Sequence, residues 1–242
     1  MTDHTDTDTP PRTPSTEDDD PHCLRPGEAA AVLADAPWRR VVILGEHESR
    51  LARSAVVPGY RPVSWSDRVA AALRAAHPGL ACRTARGRRD LSLFEVRSRQ
   101  VLDALVFGGD LALIPGGGRE LLDPTLDPDS VEVELTRILD SLRSATYRDA
   151  LVVSPFDLSW SRGVQAERRA ALRDRQLRLV RRVMLVTLHH GAMHVDLMRH
   201  QQGLEPRSLW VPGAGGLSSK GHAVAAAAVV RALARGVSQT AP

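Results

Sequence analysis

Residues 40–44, Arg-Val-Val-Ile-Leu, run straight into Gly45-Glu46-His47-Glu48-Ser49, and this stretch decides how the chain is read. Four successive apolar residues, three of them β-branched, are too few for a helix that packs by itself and too uniform for a half-exposed strand. They predict a strand buried on both faces, and Gly45 marks where the chain leaves it. Working outward, strand-length apolar runs recur at Leu80–Arg83, Asp110–Ile114 (DLALI), Ala150–Ser154 (ALVVS) and Met193–Leu197 (MHVDL). Helical periodicity fills the intervals: Ser66–His77, Ser92–Phe107, Pro128–Ala145 and Gln165–His189, with Gly27–Ala36 before the first strand and Lys220–Ala234 after the last. Five strands, each separated from the next by a helix, predict a mostly parallel sheet covered on both faces. Right-handed crossovers make it a three-layer, doubly wound α/β sandwich of the flavodoxin-like kind.

A chain of 242 residues, 43% of them hydrophobic, can bury one sizeable core. Residues 1–25, rich in Thr, Asp and Pro, are expected to form a disordered acidic tail. Residues 26–236 then make one domain, and 237–242 a short C-terminal tail. The start has neither a basic nor an apolar leader segment and no run approaches ~20 apolar residues, so a cytoplasmic protein with no membrane contact is expected. Residues 1–24 carry a net charge of −6 and the remainder +9. Lys220 is the single lysine and only nine aromatic residues are present, so the basic balance is read as compositional and nucleic-acid binding is not expected. Cys23 and Cys82 read as a tail thiol and a small core residue. No metal and no cofactor are expected: Gly191 interrupts His189, His190 and His194, removing the i, i+4 spacing of a zinc helix. The arginines of 165–189 read as a solvated helix face.

In a doubly wound sheet, ligands bind outside the carboxyl ends of the strands. That rule selects Gly45–Ser49, Arg86–Asp90, Pro115–Glu120 and Pro155–Asp157, with 212–222 closing the same edge. These are also the segments that carry a resemblance. VVILGEHES (41–49) resembles the first block of the SGNH, or GDSL-type, hydrolases, where an apolar strand ends in Gly-Asp-Ser. The segment at 59–79 is similar to the stretch after that block in actinobacterial members. LALIPGGGRELL (111–122) resembles their Gly-Gly-Asn-Asp block, and LWVPGAGGLSSKGHAVAAA (209–227) their last block, an Asp-x-x-His pair before a Ser-x-x-Gly-His run.

The resemblance implies an esterase fold and also which positions would carry catalysis: a serine nucleophile, a histidine base, an aspartate that orients it, and glycine and asparagine oxyanion donors. Carried over, His47 stands at the serine position beside Glu46, Asp90 at the oxyanion glycine with Gly87 nearby, Arg119 at the asparagine, and Gly213 and Gly216 at the aspartate and histidine. Hydrolysis by the family mechanism is therefore not expected. The leading expectation is a non-hydrolytic homologue that binds a small anionic or acyl ligand, or a protein partner, with Glu46, His47, Ser49 and Arg119 as ligand-binding candidates. His47 and Arg119 would form a cationic niche that Glu46 and Asp90 can neutralise. The alternative is an active ester hydrolase, or an altered chemistry, using Ser49 or the Glu46/His47 pair. His222 is read as a structural hydrogen bonder.

Overall fold

A computed structural model describes residues 16–47, 56–87, 91–123, 125, 127, 129–161, 163–211 and 216–240; of these, the side chains of Glu46, His47, Arg86, Gln239 and Thr240 are not described. The elements run in the order α1 (Glu28–Val32), β1 (Arg40–His47), α2 (Trp65–Ala76), β2 (Ala81–Gly87), α3 (Leu93–Phe107), β3 (Leu111–Pro115), α4 (Arg119–Leu122), α5 (Ser130–Arg143), β4 (Asp149–Ser154), α6 (Ala166–His189), β5 (Met193–Asp196), α7 (Leu197–His200) and α8 (Ser219–Thr240). The five strands form one parallel sheet in the order β2-β1-β3-β4-β5. Helices cover both faces: α1, α2 and α8 pack together on one, and α3, α5 and α6 on the other. This is the expected doubly wound sandwich, and it places the exits of all five strands along one edge.

The runs that announced the strands are the core. Val41, Ile43, Leu111, Leu113, Leu151 and Val152 are buried from both sides, as continuous apolar strands must be in a parallel sheet. Helix α8 meets that sheet with a short-side-chain face, and every residue from Ala223 to Val230 is buried. The α2 helix starts one residue before the expected Ser66. Ser64 is its cap, its hydroxyl accepting from the Asp67 amide at 3.1 Å. Among the described residues no helix is long and apolar enough to cross a membrane.

Two terminal expectations need correction. Residues 16–25 are not disordered: Glu17, Asp20 and Cys23 are buried, and Cys23 is a core residue rather than a tail thiol. The acids that made this segment look unfoldable hold it in place. Glu17 takes a two-pronged contact from Arg68 and one from Arg61 at 2.7 Å, and Asp20 accepts from the Tyr60 hydroxyl at 2.7 Å beside Lys220 at 3.3 Å. Burial raises the Glu17 carboxyl, but hydrogen bonds from Arg68 and Arg61 outweigh it and bring the pKa down to about 2. At the other end α8 continues through Thr240, so 237–240 are helical rather than a tail. Residues 1–15 and 241–242 lie outside the described set.

Candidate functional site

The first strand reaches the edge through a local distortion. Gly45 has φ +73°, and a Cβ there would sit 2.5 Å from the Pro115 ring on β3, so both conformation and space demand glycine. Gln100 of α3 bridges the gap this opens between β1 and β2. Its amide oxygen accepts from the Gly45 N–H at 2.8 Å and its amide nitrogen donates to the Ala85 carbonyl at 3.3 Å, where the register shifts between Ile43 and Glu46. Beyond the shift Glu46 pairs with Arg86 and His47 with Gly87, which sets the backbones of Glu46 and His47 at the carboxyl edge. Ser49, Asp90 and Gly213 lie outside the described residues.

The third strand leaves through Pro115-Gly116-Gly117-Gly118. The Gly116 N–H donates to the Val153 carbonyl at 2.8 Å, and a Cβ on Gly116 would press on the Ser154 hydroxyl. The glycine run thus lies flat against β4 and delivers Arg119 as the first residue of α4. Its guanidinium pairs with Asp123 one turn on at 2.7 Å, while its Nε is buried without a partner. Hydrogen bonds from Thr125, with Arg119 in support, hold the Asp123 carboxyl below its usual range. The positive charge expected to face a ligand is therefore already matched by Asp123, a neutralising partner different from the expected Glu46 and Asp90. Glu120, buried, ties this loop to α3: one carboxylate oxygen accepts from the Leu93 N–H at 2.6 Å, and the other is buried without a partner.

The exits of β4 and β5 bring together a pair that sequence reasoning missed. Ser154 Oγ and His194 Nε2 are 2.9 Å apart, and Ser154 is fully buried. Burial lowers the His194 pKa, with Asp196 acting in the opposite sense and Arg199 adding to the fall. The available signal was the polar residue closing the ALVVS run; parallel pairing of Val152 with His194 and Ser154 with Asp196 supplies the neighbour, which no one-dimensional pattern contains. His189 and His190, grouped with His194 in the sequence, are elsewhere, at the end of α6, where they meet edge to face and His190 lies 3.5 Å from Asp140.

The last segment pairs on either side of residues 212–215, which lie outside the described residues. Val211 donates to the Gly216 carbonyl at 3.0 Å and Trp210 bridges Leu217, leaving Gly216 exposed. Trp210 is buried and its indole N–H has no partner. Ser218 accepts from the Gly221 N–H at 3.1 Å and donates to the Ser208 carbonyl at 2.6 Å, and Gly221 lies so close to the Leu209 carbonyl that a Cβ has no room. His222 accepts the Trp65 N–H on Nδ1 at 3.1 Å. Burial, with the charge of Arg68 adding to it, pushes this imidazole down to about 4, so it stays neutral and acts as an acceptor that anchors α2 to α8.

Solved structures share this architecture. The acetylxylan esterase from Geobacillus stearothermophilus superposes with a TM-score of 0.59 at 16% identity, over 81% of this chain and 94% of that one. An alpha/beta hydrolase enzyme from the metagenome of Lake Arreo superposes at 0.58 with 20% identity over the same shares. The fold is that of the SGNH hydrolases. At these identities the likeness is one of fold, and neither a family model nor a curated protein matches the sequence. In the Geobacillus esterase, alanine replacements of a serine, an aspartate and a histidine are catalytic mutants, the last two residues three positions apart. On the SGNH frame of this chain, Glu46-His47, Gly116–Arg119 and Gly216–His222 converge on one edge, where β4 also ends in Ser154, buried beside His194.

Proposed function

We propose that this chain is a non-hydrolytic SGNH-fold protein of the cytoplasm, which uses the carboxyl edge of its sheet to bind a small anionic or acyl ligand. The observation that carries the reading is the exit of β1, which brings Glu46-His47 to the edge where hydrolases of this fold bring Asp-Ser. Two further features support it. Ser154 is hydrogen-bonded to His194 but fully buried, which closes its hydroxyl to an ester, and His222 is occupied by the Trp65 amide. Gly213 and Gly216, standing where the resemblance places aspartate and histidine, offer no side chain to take or hold a proton. Losing a single oxyanion donor costs about 10²–10³ in turnover and losing the triad leaves only about 10³–10⁴ over water, so loss of both leaves no useful hydrolysis.

Two buried donors without partners, Arg119 Nε and the Trp210 indole N–H, are groups with which an anion or acyl oxygen would gain hydrogen bonds. The test is turnover of p-nitrophenyl acetate by the full chain beside Ser49→Ala and His47→Ala, with acetate and phosphate titrations of the parent and Arg119→Ala. Turnover at the buffer rate in all three proteins, with anion affinity reduced in Arg119→Ala, is the expected result. Turnover that disappears with Ser49→Ala overturns the non-hydrolytic reading, and identical titrations for parent and Arg119→Ala overturn the binding role of that arginine.

A further inference from the structure

Helix α6 buries Leu172, Gln176, Leu179, Val183 and Val186 against the sheet and its neighbours, yet its outer side is not simply polar. Leu177, Met184, Leu185 and Leu188 are exposed, Leu188 by 75% and Leu185 by 59%. Leu177, Arg181, Met184 and Leu188 are spaced four, three and four apart, the seam of a heptad, and the three apolar members fall within about 40° around the helix. Residues 175–189 hold four arginines and no acid. Arg182 is engaged by Asp129, whereas Arg175, Arg178 and Arg181 are exposed with no acidic partner among the described residues.

We propose that this face docks an acidic amphipathic helix of a partner protein, whose apolar seam meets Leu177, Met184 and Leu188 and whose carboxylates meet Arg178 and Arg181. Charge and width select this occupant. A second copy of α6 would set arginines against arginines within a Debye length, which opposes self-pairing. A bilayer requires an unbroken apolar face embedded over its whole width, whereas here Arg181 stands inside the exposed stripe, between Leu188 and Leu185 around the helix, with Arg178 beside it. A helix with acids beside its seam satisfies both the stripe and the charge. The surface is separate from the ligand edge: α6 starts after the carboxyl end of β4 and ends before the start of β5, so its 177–188 half lies toward the amino ends of the strands.

The test uses the full chain and a labelled synthetic peptide of about three heptads with Leu at the seam and Glu beside it, read by fluorescence anisotropy. Saturable binding is expected, weakened about tenfold in Arg178→Glu/Arg181→Glu. A peptide with Lys in place of Glu should bind that double variant better than the parent chain, which shows that the variant is folded and that charge is what it reads. Equal binding of a shuffled peptide, absence of saturable binding, or indifference to the double variant overturns the proposal. So does co-sedimentation with phosphatidylserine vesicles, or a dimer in sedimentation velocity, that Leu185→Glu/Leu188→Glu abolishes.

Discussion

The two helical layers cover the same sheet in opposite ways. On one face α8 is buried along Ala223–Val230, and residues 16–25 close over the same layer, pinned through Glu17, Asp20, Arg68 and Lys220. On the other face α3 and α6 leave Phe94, Leu102, Val106, Leu185 and Leu188 in solvent. The charges differ in the same manner. The sealed side turns Glu17 and Asp20 inward onto buried Arg68 and Lys220, whereas on α6 Arg173 and Arg182 meet Asp157 and Asp129 but Arg175, Arg178 and Arg181 are exposed with no acid opposite among the described residues. A layer closed by its own chain has stability as its use. A layer left apolar and cationic has surface to offer.

The largest expected effect tests the sealed side. Glu17→Ala leaves Arg68 buried beside no carboxylate, and breaking such a pair costs about 3–5 kcal/mol; urea unfolding at neutral pH measures it, and a loss under about 1 kcal/mol would mean that the strap is dispensable. Next is the pH response of the same layer. The His222 imidazole has a normal pKa of 6.5 when unfolded and about 4 when folded. The unfolded chain therefore takes up the proton first as pH falls, so stability is fully present above 6.5 and declines down to about 4, by about 3 kcal/mol. Glu17, normal at 4.5 and about 2 in the fold, extends the loss below pH 4.5. Thermal melts between pH 7 and 4 should show the first decline in the parent, and His222→Gln should flatten it. The smallest effect belongs to the open layer: Arg178→Glu/Arg181→Glu should change unfolding free energy by less than about 0.5 kcal/mol, as exposed substitutions without partners do. A larger loss would mean that those arginines are structural.

The strands and most helices were legible because each apolar run needs only its neighbours in sequence to declare a buried strand, and the glycines at 45 and 116–118 flagged the edge. The strap was not, since composition registers the acids at 17–20 as solvating charge until Arg61 and Arg68 are seen beside Glu17 and Lys220 beside Asp20, dozens to hundreds of positions away, while Asp18 and Asp19 do stay exposed. Ser154–His194 and the Glu120–Leu93 link were hidden for the same reason. Arg119 was legible as the residue that follows the glycine run, but its Asp123 partner, one turn along α4, depended on a four-residue helix too short to read from periodicity.

The order of strands and helices, the parallel sheet, the edge that gathers the loops and the absence of serine from position 47 are properties of the sequence itself, because local apolar runs, crossover handedness and residue identity do not require a partner. Which charges are paired inside and which stay open is a tertiary decision. Glu17 and Arg181 are both charged side chains in a polar-looking stretch; burial against a guanidinium makes the first part of the core, and the lack of any described acid across from the second leaves it facing water.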